Sequence, residues 1–198
     1  MALQNRVLPT GEIIADPARG LFTGNRGCLH DDQRRLGPAR WRGKAWIICA
    51  LEWQGWQRQV MTPGTWTELF FLDEAVALAV GHRPCALCRR DAYMAFRAAW
   101  GDRARAVAMD AALHAARVGP DRRQRHFKAD VKALPDGAFI LLGNRPHLVR
   151  AGLACPYDPA GYGTPVSLPQ GEVTVLTPEP TVAVMRAGYR PVLHPSAG

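Results

Sequence analysis

The string GHRPCALCRR, residues 81–90, sets Cys85 and Cys88 two residues apart, straight after a glycine, a histidine, an arginine and a proline. Two sulfurs at that spacing restrict a chain to three outcomes: ligands of one tetrahedral ion, a redox dithiol, or two small packed residues. A thioredoxin-like dithiol follows a strand and opens a helix within a βαβ pattern. Here the predicted order is helix, Gly81, a His-Arg-Pro turn and then the pair. Arginines at 83, 89 and 90 favour a thiolate, which suits a metal ligand and a reactive cysteine alike. Two intervening residues also let both sulfurs and the neighbouring amides face one ion, so a zinc knuckle is the leading expectation.

The compartment bears on that choice. No run approaches the length of a membrane span, and the opening MALQNRVLPTGEII lacks the apolar stretch of a signal peptide. A cytoplasmic protein with no membrane partner is expected. In a reducing compartment five cysteines do not form a disulfide framework, so paired cysteines lean towards metal or redox chemistry.

The remaining pattern predicts an α+β fold, a small mixed or antiparallel sheet with a zinc knuckle and several flanking helices. KAWIICALEWQ (44–54) reads as a buried strand, and WQRQVMTPG (56–64) as a second arm closed by Pro-Gly. Leu69 to Leu72 reads as a short strand leading into a helix capped by Asp73 and stopped at Gly81. DAYMAFRAAWG has Tyr93, Phe96 and Trp100 on one helical face, with Asp91 as its expected cap. Helices are also predicted over 109–119 and 122–134, a hairpin around Gly-Asn-Arg-Pro at 143–146, and a loop over ACPYDPAGYGTP. A strand, a Thr177 cap and a short helix stopped by Gly188 follow. The weak boundary falls near 105–120.

The stretch LFFLDEAVALAVGHRPCALCRR, residues 69–90, resembles the second half of the zinc-binding domain of Ada-type DNA-repair and methyl-response proteins. That family has an aromatic strand end, an Ala-rich helix, and Gly-aromatic-Arg-Pro-Cys-x-x-Cys followed by basic residues. His82 stands here in the aromatic position. The resemblance implies zinc, a DNA partner, and a division into an Ada-like domain (1–105) and a helical pair with hairpin and C-terminal helix (106–198), packed as one unit. The whole chain is also similar to a bacterial family of about this length sharing GNRG-x-LH, FFLDEA…GHRPC-x-x-CRR and GYRPVLHPSA, a resemblance that brings no activity with it.

In the Ada-type domain two further cysteines, spaced C-x3-C upstream, complete the site, and one accepts a methyl group from a DNA phosphotriester. This chain has no C-x3-C. Upstream stand Cys49, on the predicted strand, and GNRGCLHDD with Cys28 and His30. Cys49 is a ligand or a small core residue. His30 lies in a polar turn where packing does not call for it, Cys28 competes with it, and both together would form a Cys-x-His clip. A Cys3His site of His30, Cys49, Cys85 and Cys88 holding Zn2+ is expected. Cys155 is expected in a loop or the core.

Net charge is +8, and it is unevenly placed. Residues 19–44 carry seven Arg or Lys against two Asp, 82–105 six against two, and 117–132 six against two, whereas the rest of the chain beyond 132 balances four against four. Arginine-rich coding explains the excess but not its clustering. A nucleic-acid partner, DNA before RNA, is therefore expected to meet Arg26, Arg83, Arg89 and Arg90 beside the metal-binding strings and Arg122, Arg123, Arg125 and Lys128 on the helix predicted over 122–134. Trp41, Trp53, Trp56 and Trp66 are base-stacking candidates or sheet core. Repair or regulation of DNA is the setting the resemblance implies. The alternatives are a zinc-thiolate enzyme with Cys49 as alkyl acceptor, and a zinc-dependent nucleotide hydrolase. No Ser-His-Asp pattern, P-loop or HExxH string is present.

Overall fold

Short strands of alternating burial build two separate sheets, as seen in a computed structural model that describes residues 2–55, 59–101 and 103–198. The first contains β1 (Gln4–Val7), β2 (Ile13–Ala15), β3 (Phe22–Asn25), β4 (Ile47–Ala50), β5 (Leu69–Phe71) and β6 (Arg83–Pro84), in the order β2-β1-β5-β3-β4-β6. It is mixed: β1–β5 and β4–β6 run parallel and the other pairs antiparallel. The second sheet is antiparallel throughout. It contains β7 (Phe127–Asp130), β8 (Phe139–Leu142), β9 (Arg145–Arg150), β10 (Leu153–Asp158), β11 (Gly161–Tyr162), β12 (Val166–Ser167) and β13 (Glu172–Val175). Its order is β11-β10-β9-β8-β13-β7, with β12 on β10. The helices are α1 (Glu74–Ala79), α2 (Arg90–Trp100), α3 (Ala106–Arg117) and α4 (Glu179–Arg186). The class is α+β as expected, with two sheets where the sequence suggested one. Among the described residues no helix is long and apolar enough to cross a membrane.

Several expectations change. Residues 122–134 form no α-helix. Phe127 and Ala129 turn inward with period two and pair with β13, and Asp130 then accepts a hydrogen bond from Lys132 N to close a 3-10 turn over Val131–Ala133. Pairing with a neighbouring strand outweighs the weak helix propensity of this polar segment. The string ACPYDPAGYG is no loop either: β10 and β11 pair Tyr157 with Tyr162 around the Asp-Pro-Ala turn. Of the arm expected over 56–64, residues 56–58 lie outside the described residues, and 59–64 form turns rather than a strand. Arg89, not Asp91, takes the N-cap position of α2, and Pro178 that of α4. Thr177 instead accepts a hydrogen bond from Phe139 N, stitching β13 to β8.

The centre of the molecule is α1. All six of its residues are buried, and the main core gathers Val7, Ile48 and Phe71 from the first sheet, Phe139 and Leu148 from the second, and Phe96 and Tyr189 from the segments that cover it. Its first two carboxylates are buried too, so each needs partners. Asp73 caps the helix through Val76 N and accepts from Tyr162 OH and His194 N. Burial still pushes its pKa up, against the lowering effect of those bonds. Glu74 accepts from Arg89 Nη1 at 2.7 Å, Tyr189 OH at 2.5 Å and Val192 N at 3.0 Å. The C-terminal GYRPVLHPSA is thereby tied to α1. Glu74→Ala strands a guanidinium whose side chain is 8% exposed, and should lower the unfolding free energy by roughly 3–5 kcal/mol in urea titrations.

Gly81 ends α1 at φ 82°, where a Cβ would meet the Arg117 Cδ position at 2.4 Å. His82 follows, fully buried between Trp46 and Phe71. Its Nδ1 faces Ala77 O and its Nε2 accepts from Arg26 Nε at 3.3 Å, which requires the neutral Nδ1–H tautomer. Burial, then Arg26 and Arg117, hold its pKa well below 6.5. The unfolded chain therefore binds a proton below pH 6.5 that the folded one refuses, so this contribution is intact above 6.5 and fades as pH falls. Between pH 7.5 and 5.5 the loss approaches about 1.4 kcal/mol. Burial depresses His114 and His126 in the same direction. Calorimetry at the two pH values should show the lower Tm at pH 5.5, and His82→Gln should flatten that difference.

Candidate metal centre

Cys49 sits on β4 opposite Thr23, one residue past Ile48. The short strand β6 runs parallel to β4, with Ile48 beside Pro84, and Cys85 N donates to Ile48 O at 2.9 Å. Proline is acceptable at this edge because β6 is the last strand of its sheet. The pairing sets Cys85 next to Cys49, and the turn into α2 returns Cys88 to the same spot, with Arg89 N donating to Cys85 O. The three sulfurs lie within 4.8 Å of one another, all partly exposed. Three thiolates about 2.3 Å from one tetrahedral zinc would be roughly 3.8 Å apart. The group can hold a metal ion with little movement, and its soft donors favour zinc or another thiophilic ion.

The electrostatics suit bound thiolates. Leu87 N donates to Cys85 Sγ at 3.4 Å, and Cys88 N and the Cys49 thiol also point at that sulfur. The bond from Cys49, then these amides, lower the Cys85 pKa to about 5 against the pull of burial. The Cys49 thiol, donating into that bond and buried, is pushed far up. Burial also raises Cys88, partly offset by a hydrogen bond from Ala50 N.

His30 and Cys28 are not brought into the group. His30 is satisfied elsewhere: Nε2 donates to Thr62 O at 3.2 Å, so Nδ1 accepts from Thr67 Oγ1 at 2.6 Å. Thr67 in turn accepts from Leu29 N, so His30 closes a polar turn over the first sheet. Cys28 Sγ lies 3.7 Å from His30 O, and Cys155 is buried on β10.

The eight basic residues divide. Arg83 grips Asp110 bidentately at 2.7 and 2.8 Å, bolting β6 to α3, and Arg89 is committed to Glu74 and stacked 4.2 Å over Phe22. Neither faces outward, because each neutralises a carboxylate that burial would otherwise strand. Arg90, Arg122, Arg123, Arg125 and Lys128 are exposed. With 122–126 in a loop and Lys128 on β7, the second cluster is not a helical stripe. Arg26 is buried, its guanidinium 3.9 Å over Trp46, and Arg117 stacks on the same indole at 3.9 Å. Trp46 and Arg117 were not among the residues singled out from the sequence. The only signal for them was a tryptophan opening a β-branched strand and an arginine ending an Ala-rich helix. Of the four tryptophans named there, Trp41, Trp53 and Trp66 are half-buried and Trp56 lies outside the described residues.

Comparison of the chain with family models, curated proteins and solved structures gave no match. The centre is thus defined by its own geometry. Cys49→Ser, Cys85→Ser and Cys88→Ser should each abolish stoichiometric zinc by elemental analysis. His30→Ala and Cys155→Ser should keep it, His30→Ala lowering stability by about 1–3 kcal/mol through its unmade hydrogen bonds.

Proposed function

We propose that this protein is a zinc-binding protein, the ion held by Cys49, Cys85 and Cys88, whose exposed basic surface engages nucleic acid. The convergence of three sulfurs from a strand and a turn carries the first half. These elements meet only in the folded chain, so a zinc ion there would tie β4 to the start of α2 and contribute folding free energy directly. A structural role accords with the turn's commitment inward, since Arg83 and Arg89 on either side of it anchor Asp110 and Glu74.

The second half rests on charge. The net +8 is carried outward by arginines such as Arg90, Arg122 and Arg125, without buried counter-ions. Such a surface attracts a polyanion by releasing its condensed cations. The Ada-type resemblance over 69–90 supports DNA as that polyanion.

Titrations of duplex and single-stranded oligonucleotides from low to moderate salt test this. Log affinity should fall linearly with log salt, and Arg90→Ala and Arg125→Ala should each reduce the slope by about one unit. Arg83→Ala and Arg89→Ala should instead lower the thermal midpoint. No binding to DNA or RNA at low salt would remove the nucleic-acid reading, and zinc-free, well-folded protein would remove the metal reading.

A further inference from the structure

A cleft of about 590 Å³ opens where the β1–β2 turn, the end of α3 and the 118–126 loop meet. None of the three cysteines lines it. Five arginines do (26, 40, 117, 122 and 123), and the one carboxylate among its lining residues is Glu12, which is exposed. Its size is that of a small-molecule site.

The floor is unusual. Arg26 is 2% exposed, yet among the described residues no carboxylate pairs with it. Its Nε donates to His82, and its Nη2 meets no acceptor. Beside it Arg117 donates to Gly81 O and Lys44 O while its Nε also lacks one. Two like charges therefore stack on Trp46 inside the protein, where a guanidinium stays protonated and an uncompensated charge is expensive. Elsewhere the chain pairs its buried arginines: Arg83 has Asp110 and Arg89 has Glu74. Arg26 and Arg117 are the exceptions, and both line the cleft.

Arg40 and Arg123 stand exposed at the rim, and Arg122, at φ 64°, lies 5.4 Å over Trp41. Two further buried atoms lack partners, Thr10 Oγ1 and Gln124 Oε1. Gln124 is held by its amide nitrogen, whose two hydrogens are shared among the Pro9, Ala79 and Leu176 carbonyls. Its free oxygen is an acceptor and answers a hydroxyl or amino group, not a phosphate oxygen.

We propose that this cleft binds a phosphate ester, its phosphate on Arg26 with the rim arginines and its hydroxyl-bearing part towards Thr10 and Gln124. The excess of five positive charges over one negative favours a dianion, and the planar fork of arginine matches phosphate geometry. A cleft lined by one sign of charge also concentrates such ligands. The phosphate can belong to a free mononucleotide or to the 5′ end of a strand. The site does not depend on the metal centre.

Thermal shift and tryptophan fluorescence of the zinc-loaded protein, at fixed ionic strength, provide the test. Inorganic phosphate and adenosine 5′-monophosphate should raise the midpoint saturably where sodium chloride does not, and change the tryptophan emission of the protein, with Trp41 and Trp46 both lining the cleft. Arg123→Ala, at the exposed rim, should weaken the monophosphate at least tenfold without changing the ligand-free midpoint. Arg26→Met should abolish the ligand shift whichever way the ligand-free midpoint moves, whereas a merely structural Arg26 would leave the ligand shift intact. Should Arg26→Met not fold, Arg123→Ala and Arg40→Ala decide. If neither alters binding, or if no phosphate ester binds, the proposal falls. A 5′-phosphorylated oligonucleotide that binds tighter than its 5′-hydroxyl twin, and loses that advantage in Arg123→Ala, identifies the strand end as the source. Equal binding of the two, with the mononucleotide still bound, identifies the free nucleotide. Salt-sensitive strand binding with no response to any phosphate monoester overturns the cleft while leaving the surface reading intact.

Discussion

Glu74 receives three donors from two separate parts of the chain: the guanidinium of Arg89 just after the Cys-x-x-Cys turn, and the hydroxyl of Tyr189 and the amide of Val192 in the C-terminal tail. A buried carboxylate cannot be left half satisfied, because its desolvation exceeds what any single hydrogen bond returns. The residue thus dictates where the C-terminal tail lies, how α2 starts, and which way the Cys-x-x-Cys turn faces. Asp73 beside it does the same for β11 and for the start of the final turn, through Tyr162 and His194. The short helix they open is buried on every side, and two sheets that share no strand pack against it. The apolar contacts supply the bulk of the driving force, and the two acids choose the arrangement.

The thiol group inherits its geometry from this frame. Parallel pairing of β4 and β6 brings Cys49 and Cys85 together, and that pairing is in turn held by the Arg83–Asp110 fork against α3. Three elements separated by dozens of residues must be correct before the sulfurs meet. This is the situation in which a bound ion adds most to stability, since it ties together segments that the unfolded chain keeps apart.

A second polar assembly runs along the other end of β4, and its logic is reversed. Around Trp46 the chain collects Arg26, Arg117 and the neutral ring of His82, with aromatic faces standing in for counter-ions. Cation–π contacts offset part of the burial of charge but do not cancel it. The phosphate ester proposed for the cleft would offset that imbalance, and would connect the basic composition of the chain to a specific cleft rather than to its surface alone.

Much of this was legible in the amino-acid order. The strand at 47–50, the helix opened by Asp73 and closed by Gly81, the helix after the cysteines and the hairpin at 139–150 all follow from local periodicity and turn chemistry. The Cys-x-x-Cys spacing and a cysteine on an upstream strand likewise pointed to the three sulfurs that converge. What local pattern could not supply was partnership. His30 looks like a ligand in a polar turn, and only the folded chain places Thr67 and Thr62 against its two nitrogens. Residues 122–134 resemble a basic helix until β13 offers them a strand to join. Arg83 and Arg89, beside the cysteines, read as phosphate contacts because charge is visible in sequence and burial is not. Tertiary structure decided these cases for one reason: the energy of a polar group is set by what lies within a few ångströms of it, and in this chain those neighbours come from up to 121 positions away.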